Sequence, residues 1–346
     1  MTKLTTRRVA LAGTVAMATG LAAPMIARGQ GKISLRIQTH HSPESVPGKV
    51  FLQLVKDVQD MSGGQVTIEG FTSSSVVKSV ETFDAASTGI LDGDMTGAAY
   101  LSGKDAAFQA FGDMLGGFET PDQMQAWLDV GGGREIADKL YPKFGMHLVG
   151  FWGDPTESLV SNKPIRNLGD LKDWKFRCPP GMQTEIFAEL GAKPVVMDFG
   201  EVFTALQTKA VEGADAATLV TNRSLGLYEI SKHTTYPGFH SMPSDHLAIN
   251  LDKWKSLPPA VQAIFVSAVK KAAYDRWMLT NEGNSVAARD LVANKGVTLY
   301  PWETAEKNKY RELAQAVWIK WGKKSPFAEQ AFGSSIDYMK KIGVLG

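Results

Sequence analysis

The long segment Pro258–Asn294 constrains the fold more than any other feature of the sequence. After Pro259 no proline occurs before Pro301, and Gly283 is the only glycine up to Asn294. Apolar residues recur along it at helical spacing: Val261, Ile264, Phe265, Ala268, Val269, Ala272, Trp277 and Leu279. The pattern predicts one long helix, or two helices joined near Gly283, and it exceeds the usual helix length of globular domains.

Strand-like and helix-like patterns alternate through the rest of the chain. Residues 33–99 follow the order strand, helix, strand, helix, strand, and residues 174–220 repeat the alternation with a helix that ends at Gly213. A single helix is predicted over Thr120–Phe144. Such alternation is typical of mostly parallel sheets. Because the chain passes between two such units, we expect two lobes and a ligand cleft beyond the carboxyl ends of the strands.

Residues 1–29 have the composition of an export signal. Lys3 and an arginine pair precede a weakly apolar run, and no acidic residue occurs among them. The pair Arg7–Arg8 fits a bacterial twin-arginine signal. Small residues before position 30 predict cleavage after Gly29, which would release a periplasmic protein with a net negative charge. A retained membrane anchor is the alternative.

Composition and charge narrow the functional class. Of the 346 residues, 44% are hydrophobic and 21% charged, as in a globular protein. The formal net charge of +1 provides no basic field, so no nucleic-acid partner is expected. Cys178 is the only cysteine, which excludes an intrachain disulfide and a cysteine-based metal site. No second apolar run is long enough to predict a membrane span.

The motifs of common catalytic sites are absent. The sequence contains no G-x-S-x-G elbow, no phosphate-binding G-x-x-x-x-G-K-[ST] loop, no H-E-x-x-H pair and no EF-hand loop. His40 and His41 could bind a metal ion, but adjacent residues of a strand are expected to point apart. The absence of a nucleophile or acid–base constellation favours a binding protein over an enzyme.

Arg177 is the most conspicuous candidate for ligand binding. It ends the predicted strand Trp174–Arg177, and Pro179 and Pro180 stop that strand directly afterwards. A guanidinium at the carboxyl end of a strand could hold a carboxylate ligand in the cleft, or it could pair with an internal acid. The residues alone leave both interpretations open.

Two blocks of the sequence resemble a known transport family. They read PIRNLGDLKDWKFRCPPGMQTEIFAELGAKPVVMDFGEVFTALQTKAVEGADAA and LAINLDKWKSLPPAVQAIFVSAVKKAA. Both are similar to segments of the periplasmic solute-binding proteins of TRAP transporters, of the DctP type, and the resemblance covers nearly all of residues 31–340. GKD at 103–105 and GGG at 131–133 are similar to the branch that binds 2-oxo and 2-hydroxy monocarboxylates.

The resemblance implies a fold and a role. The expected α/β fold is that of a two-lobed periplasmic binding protein, with mixed sheets, hinge strands and a long helix that spans both lobes. Lobe one would contain residues 30–152 and about 242–275, and lobe two residues 153–241 and about 276–346. The lobes would close over a small organic carboxylate and deliver it to the membrane subunits of a TRAP permease. Monomer and homodimer both stay open.

The resemblance also implies ligand-binding residues. At the position of Arg177 the family has an arginine that forms a salt bridge with the ligand carboxylate, and the planar guanidinium suits that task. His40 follows the first strand, where the family often contacts the ligand, and Tyr100 matches a tyrosine position. Trp152 could line the pocket or take part in the packing of a lobe. Phe239 lies near the hinge.

Acidic residues add a complication. Asp154 and Glu157 stand where the family places a neutral polar contact. An acid there would repel a carboxylate, so at least one is expected to pair with Arg177 or to contact a ligand hydroxyl. Asp215 holds an acidic position that binds a metal ion in the monocarboxylate branch, but the second acid is missing, because the chain reads Phe239–His240–Ser241 there. We therefore expect no cofactor, with a substrate-bridging metal ion at Asp215 as the alternative.

Two other functions remain open from the sequence. Twin-arginine export often carries proteins that fold around a cofactor, so a periplasmic cofactor- or metal-dependent enzyme is one of them. The other is a ligand-binding sensor subunit with the same fold. Visible absorbance or bound metal in the pure protein would indicate the enzyme, and genes for permease subunits beside this one would separate transport from sensing.

Overall fold

The structure, a computed structural model, describes residues 31–346. Two separate β-sheets form the centres of two lobes, which confirms the predicted two-lobed α/β fold. The predicted export signal lies outside the described residues. Among the helices of residues 31–346, none combines the length and the apolar character that a membrane span requires.

The first sheet forms the centre of lobe one. Its strands are β1 (Ile33–Thr39), β2 (Val66–Phe71), β3 (Gly93–Met95), β4 (Met146–Gly153) and β10 (Ser244–Asn250). They lie in the order β2-β1-β3-β10-β4. β1 is parallel to β2 and β3, as the alternating pattern predicted, whereas β10 returns from lobe two and is antiparallel to both neighbours. The sheet is therefore mixed.

The second sheet forms the centre of lobe two. Its strands are β5 (Ser158–Ser161), β6 (Lys175–Cys178), β7 (Lys193–Val196), β8 (Gly213–Ala217), β9 (His233–Thr235) and β11 (Thr298–Tyr300). They lie in the order β11-β9-β5-β8-β6-β7, with β6 parallel to both neighbours and β5 antiparallel to both of its own. The chain crosses between the sheets from β4 to β5 and from β9 to β10.

Helices connect and cover the strands. In lobe one they are α1 (Val46–Met61), α2 (Thr82–Ser87), α3 (Ala107–Gly112), α4 (Pro121–Val130), α5 (Gly133–Leu140) and α10 (Leu251–Ser256). In lobe two they are α6 (Met182–Glu189), α7 (Val202–Gln207), α8 (Leu219–Ser224) and α9 (Leu227–Ile230). Ser45 caps α1, because its hydroxyl accepts the Gly48 N–H at 3.1 Å. This cap fixes the end of the loop that carries His40 and His41.

The long pattern after Pro259 is a single helix, α11 (Pro259–Lys295). At about 1.5 Å per residue its 37 residues span roughly 55 Å, enough to pass both lobes. Its first half packs Phe265 and Val269 into the core of lobe one, and its second half packs Ala287 and Leu291 into the core of lobe two. Gly283 does not break it: a Cβ there would lie 2.9 Å from Val220, so glycine allows α8 to approach closely.

Two helices close the chain, α12 (Thr304–Gly322) and α13 (Pro326–Lys341). α12 packs on α6 of lobe two, whereas α13 packs on α3 and α5 of lobe one. There the Trp127 indole N–H donates to the Ser334 hydroxyl at 3.1 Å. The exact residues at which the chain divides between the lobes stay a prediction.

Two predicted helices differ from the structure. The single helix over Thr120–Phe144 is wrong, because α4 and α5 are separated at Gly132, whose φ of +112° is incompatible with a continuing right-handed helix. The helix expected to end at Gly213 is also too long. α7 ends at Gln207, and Gly213 is the first residue of β8.

Candidate functional site

A small cavity of about 60 Å³ lies between the lobes, at the ends of strands from both sheets. Of the ligand-binding residues predicted from the sequence, it brings together six: His40, Tyr100, Asp154, Glu157, Arg177 and Asp215. A larger groove of about 510 Å³ lies on the outer surface of lobe one, between α4, β4 and α11, and it contains none of the predicted residues.

Arg177 reaches this cavity from β6 and is only 2% exposed. Its Nε donates to the Met197 carbonyl at 3.1 Å and its Nη1 to the Asp215 carbonyl at 2.6 Å. The guanidinium also lies over the Phe199 ring, 5.9 Å from its centroid. Within residues 31–346 no carboxylate forms an ion pair with it. The expected pairing of Arg177 with Asp154 or Glu157 is therefore not found, because backbone carbonyls hold the side chain instead.

Asp154 pairs with a different arginine, Arg276 of α11. Arg276 Nε donates to Asp154 Oδ1 at 2.6 Å, and its Nη2 contacts the other carboxylate oxygen. Arg276 Nη1 donates to Asp245 at 2.6 Å, and His41 lies 2.8 Å from the same Asp245 oxygen. Burial alone would raise the pKa of Asp245, but Arg276 and His41 hold that pKa well below the usual range. This network ties the long helix to the two strands that cross between the lobes.

A second polar cluster contains three acids, Asp113, Glu157 and Asp215, and a serine links two of them. The Ser241 hydroxyl lies 2.6 Å from Asp113 and 2.9 Å from Glu157. A hydroxyl has one hydrogen, so both contacts can be hydrogen bonds only if one of the two acids is protonated. Burial raises the pKa of Asp113 to about 7, and burial together with the charges of Asp215 and Asp113 raises the pKa of Glu157 well above its ordinary value.

Asp215 is the third acid of this cluster, and it accepts hydrogen bonds at both carboxylate oxygens. His240 Nε2 lies 2.9 Å from Oδ1, and the Gln183 amide donates to Oδ2 at 2.5 Å. Burial opposes ionisation, but His240 and Gln183 nevertheless hold the pKa of Asp215 below its ordinary value. The acid is therefore charged at neutral pH, and its backbone carbonyl meets Arg177.

Aromatic rings form another wall of the cavity. The His40 ring centroid lies 3.9 Å from that of His41, 5.5 Å from that of Tyr100 and 5.1 Å from that of Phe199. The expectation that the adjacent histidines point apart is wrong, because the chain bends after β1 and both rings face the cavity. Burial and the neighbouring His41 lower the pKa of His40 to about 3, so its imidazole is neutral. His40 Nδ1 is buried without a hydrogen-bond partner among the described residues.

Two predicted residues lie away from the cavity. Trp152 is 1% exposed and packs in the core of lobe one. Phe239 stacks on Trp302 with ring centroids 3.7 Å apart, beside a separate pocket near the hinge. Trp152 therefore packs within lobe one, and Phe239 stacks on Trp302 and does not line the interlobe cavity.

Sequence reasoning missed Arg276, Asp113 and Ser241. One signal could have identified Arg276. The buried positions of α11 recur every three or four residues, and this series continues through polar residues: Ala268, Ala272, Arg276, Thr280, Asn284 and Ala287. A charged residue on the buried face of a helix requires an internal partner.

Three residues around Asp215 offer atoms that could bind a metal ion. Glu157, Asp215 and His240 each offer a ligand atom, and these atoms lie within 4.8 Å of one another. Glu157 is thus a second acid beside Asp215, although it lies upstream of the segment in which the resemblance places that acid. His240 and Gln183 each hydrogen-bond one oxygen of Asp215, so a hard cation, which prefers six or more oxygen ligands, would have to share or displace these contacts.

Comparison with known proteins places the chain in one family of solute-binding proteins. The sequence model of bacterial extracellular solute-binding protein family 7, DctP, matches residues 37–324. A monocarboxylate 2-oxoacid-binding periplasmic protein of Nostoc sp. is 28% identical over 253 residues, which is 72% of this chain and 68% of that protein.

Solved structures agree with this result. A TRAP periplasmic solute-binding protein of Rhodobacter sphaeroides, in an apo open structure, is 29% identical, with a TM-score of 0.71 over 90% of this chain and 99% of that one. A TRAP periplasmic solute-binding protein of Desulfovibrio salexigens with bound orotic acid is 22% identical and has a TM-score of 0.83, over 90% of this chain and 100% of that one. The second likeness concerns the fold alone.

Proposed function

The chain belongs to the bacterial extracellular solute-binding protein family 7, the DctP family, and from this premise we propose that it captures a small organic carboxylate between its lobes. The proposed ligand is a 2-oxo, 2-hydroxy or aromatic acid. The Nostoc relative is named for 2-oxoacid binding, and the Desulfovibrio structure contains orotic acid, an aromatic acid. The protein would deliver the acid to the membrane subunits of a TRAP permease.

The observation that carries the proposal is the free charge of Arg177. Arg276, the other arginine of the cavity, has two carboxylate partners, whereas Arg177 has only backbone carbonyls. A buried guanidinium without a counter-ion is costly, and a ligand carboxylate would remove that cost. Nε and one hydrogen of Nη1 are occupied, so the Nη1–Nη2 edge is the one on which a carboxylate can bind in a bidentate manner.

The remaining walls fit a small ligand. The cavity of about 60 Å³ favours a small acid, and an aromatic acid would require the lobes to open further. Neutral His40 and the Tyr100 hydroxyl can each offer a hydrogen bond, and Pro179 and Pro180 provide apolar surface. We propose that these residues orient the ligand, without any catalytic role.

A thermal-shift screen of organic acids followed by calorimetry tests the proposal. Binding of one or more acids by the wild-type protein is expected. Arg177→Ala should abolish that binding and leave a folded protein, and Arg177→Lys should weaken it strongly, because an ammonium cannot reproduce the two parallel hydrogen bonds. Arg166→Ala, at an exposed arginine that pairs with Asp170, is the control and should bind normally. Unchanged affinity in Arg177→Ala would contradict the assignment.

A further inference from the structure

We infer that the ligand site continues past His40 into a second pocket between the lobes, so that the cleft prefers monocarboxylates with an unbranched apolar tail over three-carbon acids. This second pocket, the tail pocket, has a volume of about 260 Å³. Ser42, Ser73 and Ser74 line it from lobe one, and Phe199, Val202 and Leu227 from lobe two. The inference rests on the proposed function, because the tail pocket can select a ligand only if Arg177 binds the carboxylate of that ligand.

The first step is that the tail pocket adjoins the carboxylate site. The Arg177 guanidinium carbon lies 5.9 Å from the centroid of the Phe199 ring, and the His40 ring centroid lies 5.1 Å from the same point. Phe199 lines the tail pocket, and His40 lines both that pocket and the interlobe cavity. An alkyl chain that starts from a carboxylate on Arg177 and passes His40 therefore enters the tail pocket.

The second step is that the wall between the two pockets can yield. Ring contacts with His41, Tyr100 and Phe199 hold the His40 imidazole, and its Nδ1 is buried without a hydrogen-bond partner among residues 31–346. The imidazole is uncharged, since burial and the neighbouring His41 lower its pKa to about 3, so turning the ring breaks no ion pair. A slender alkyl chain requires a smaller displacement of this wall than an aromatic ring would.

The third step is that the tail pocket suits a neutral, apolar group. Val202 and Leu227 are 1% and 0% exposed, whereas Ser73 is exposed, so the most buried part of the lining is apolar. Among the described residues that line the pocket, none is an acid, a lysine or an arginine, so a second carboxylate at the end of the tail would find no counter-ion there. Each methylene group that leaves water for this surface should raise the affinity about threefold.

Matched ligands that differ in tail length alone test the inference. Unbranched 2-hydroxy acids and 2-oxo acids of three, five, six and eight carbons would be titrated calorimetrically at pH 7.5, so that each head group is compared with itself. We expect the eight-carbon acid to bind at least about thirtyfold more tightly than the three-carbon acid of the same series, because at least three more methylene groups are buried.

Two further ligands test the character of the tail. The eight-carbon 2-hydroxy acid with a second carboxylate at its far end should bind at least about tenfold more weakly than its monocarboxylate partner. Gluconate, which has the six carbons of 2-hydroxyhexanoate but a hydroxyl on each carbon of the tail, should bind more weakly than 2-hydroxyhexanoate, because its hydroxyls would lose water to an apolar wall.

Variants locate the preference. Ser42→Phe adds a bulky ring to the lobe-one side of the tail pocket and should lower the ratio of eight-carbon to three-carbon affinity at least about tenfold. Phe203→Ser removes apolar surface from the lobe-two side, at a residue that is 39% exposed, and should lower the same ratio at least about threefold. Ser285→Phe, at an exposed position of α11, is the matched control and should leave the ratio unchanged. The melting temperature of each ligand-free variant checks that it is folded.

The outcomes separate this inference from the proposed function. Affinities that do not rise with tail length, or gluconate that binds more tightly than 2-hydroxyhexanoate, would overturn the tail pocket, whereas binding that still requires Arg177 would leave carboxylate capture intact. An unchanged ratio in a folded Ser42→Phe or Phe203→Ser variant would also overturn the inference. If no organic acid binds under any condition, the proposed function fails and the inference fails with it.

Discussion

Asp198 joins the two lobes through Ser79 and is not one of the residues that line the cavity. It follows β7 of lobe two, and its Oδ2 accepts the Ser79 backbone N–H of lobe one at 3.0 Å and also the Ser79 hydroxyl. Its other oxygen accepts the Gly200 N–H within lobe two. The Ser79 contacts require the lobes to be close together, so they stabilise the closed state and contribute nothing to an open one.

We therefore predict that Asp198→Ala weakens ligand binding without touching the ligand. Hydrogen bonds to a charged group contribute about 1.5–3 kcal/mol when buried, and the partial exposure of this pair reduces the expected loss to about 1–2 kcal/mol. That loss corresponds to an increase in Kd of roughly 5- to 30-fold. The nearby ion pair of Lys78 and Glu201, 3.7 Å apart and well exposed, should contribute little.

Stopped-flow fluorescence and calorimetry with the best acid from the screen measure the effect. The dissociation rate should rise by most of this factor while the association rate changes little, since the contacts form only after closure. Loss of the Gly200 contact will lower the melting temperature of the ligand-free variant, but that contact persists in both states and cancels in the affinity. Glu229→Ala, which removes an exposed pair with Lys295 inside lobe two, is the control. A Kd and a dissociation rate within twofold of the wild type would refute the reasoning.

Two further predictions concern stability. Arg276→Met should lower the free energy of unfolding by about 3–5 kcal/mol, because two buried carboxylates lose their counter-ion. Urea denaturation measures this loss. Arg223→Met, at an exposed arginine, is the control and should cost under about 1 kcal/mol. A similar small loss in both variants would contradict the buried network. The raised pKa of Asp113, about 7 because of burial, means that its carboxyl binds a proton more tightly in the folded state than in the unfolded one. Its stabilising contribution is complete below about pH 4 and is lost as pH rises through 7, by up to about 1.4 kcal/mol per pH unit. Asp113→Asn should lack this loss, although the raised pKa of Glu157 keeps part of the pH dependence. If the free energies of unfolding of wild type and variant change in parallel from pH 4 to pH 8, this role of Asp113 is contradicted.

The sequence by itself determined the local elements and the class of the fold. The spacing of apolar residues after Pro259 predicted the long helix, because a helix buries one face whatever it packs against. The strand that ends at Arg177 was likewise evident, since two prolines cannot continue it. The sequence pattern could not decide between one helix and two at Gly283, because this glycine serves a tertiary contact with Val220 and does not end the helix.

Only the tertiary structure decided which charges meet. Arg177 and Arg276 are chemically alike, yet one faces backbone carbonyls and the other two carboxylates that come from crossing strands. The pairing of Asp154 with Arg276 joins residues 122 positions apart, and no local pattern encodes a contact of that kind. The same packing left Arg177 without a counter-ion. The lack of a counter-ion depends on how the two sheets face each other, because the groups that surround a charged side chain come from both of them.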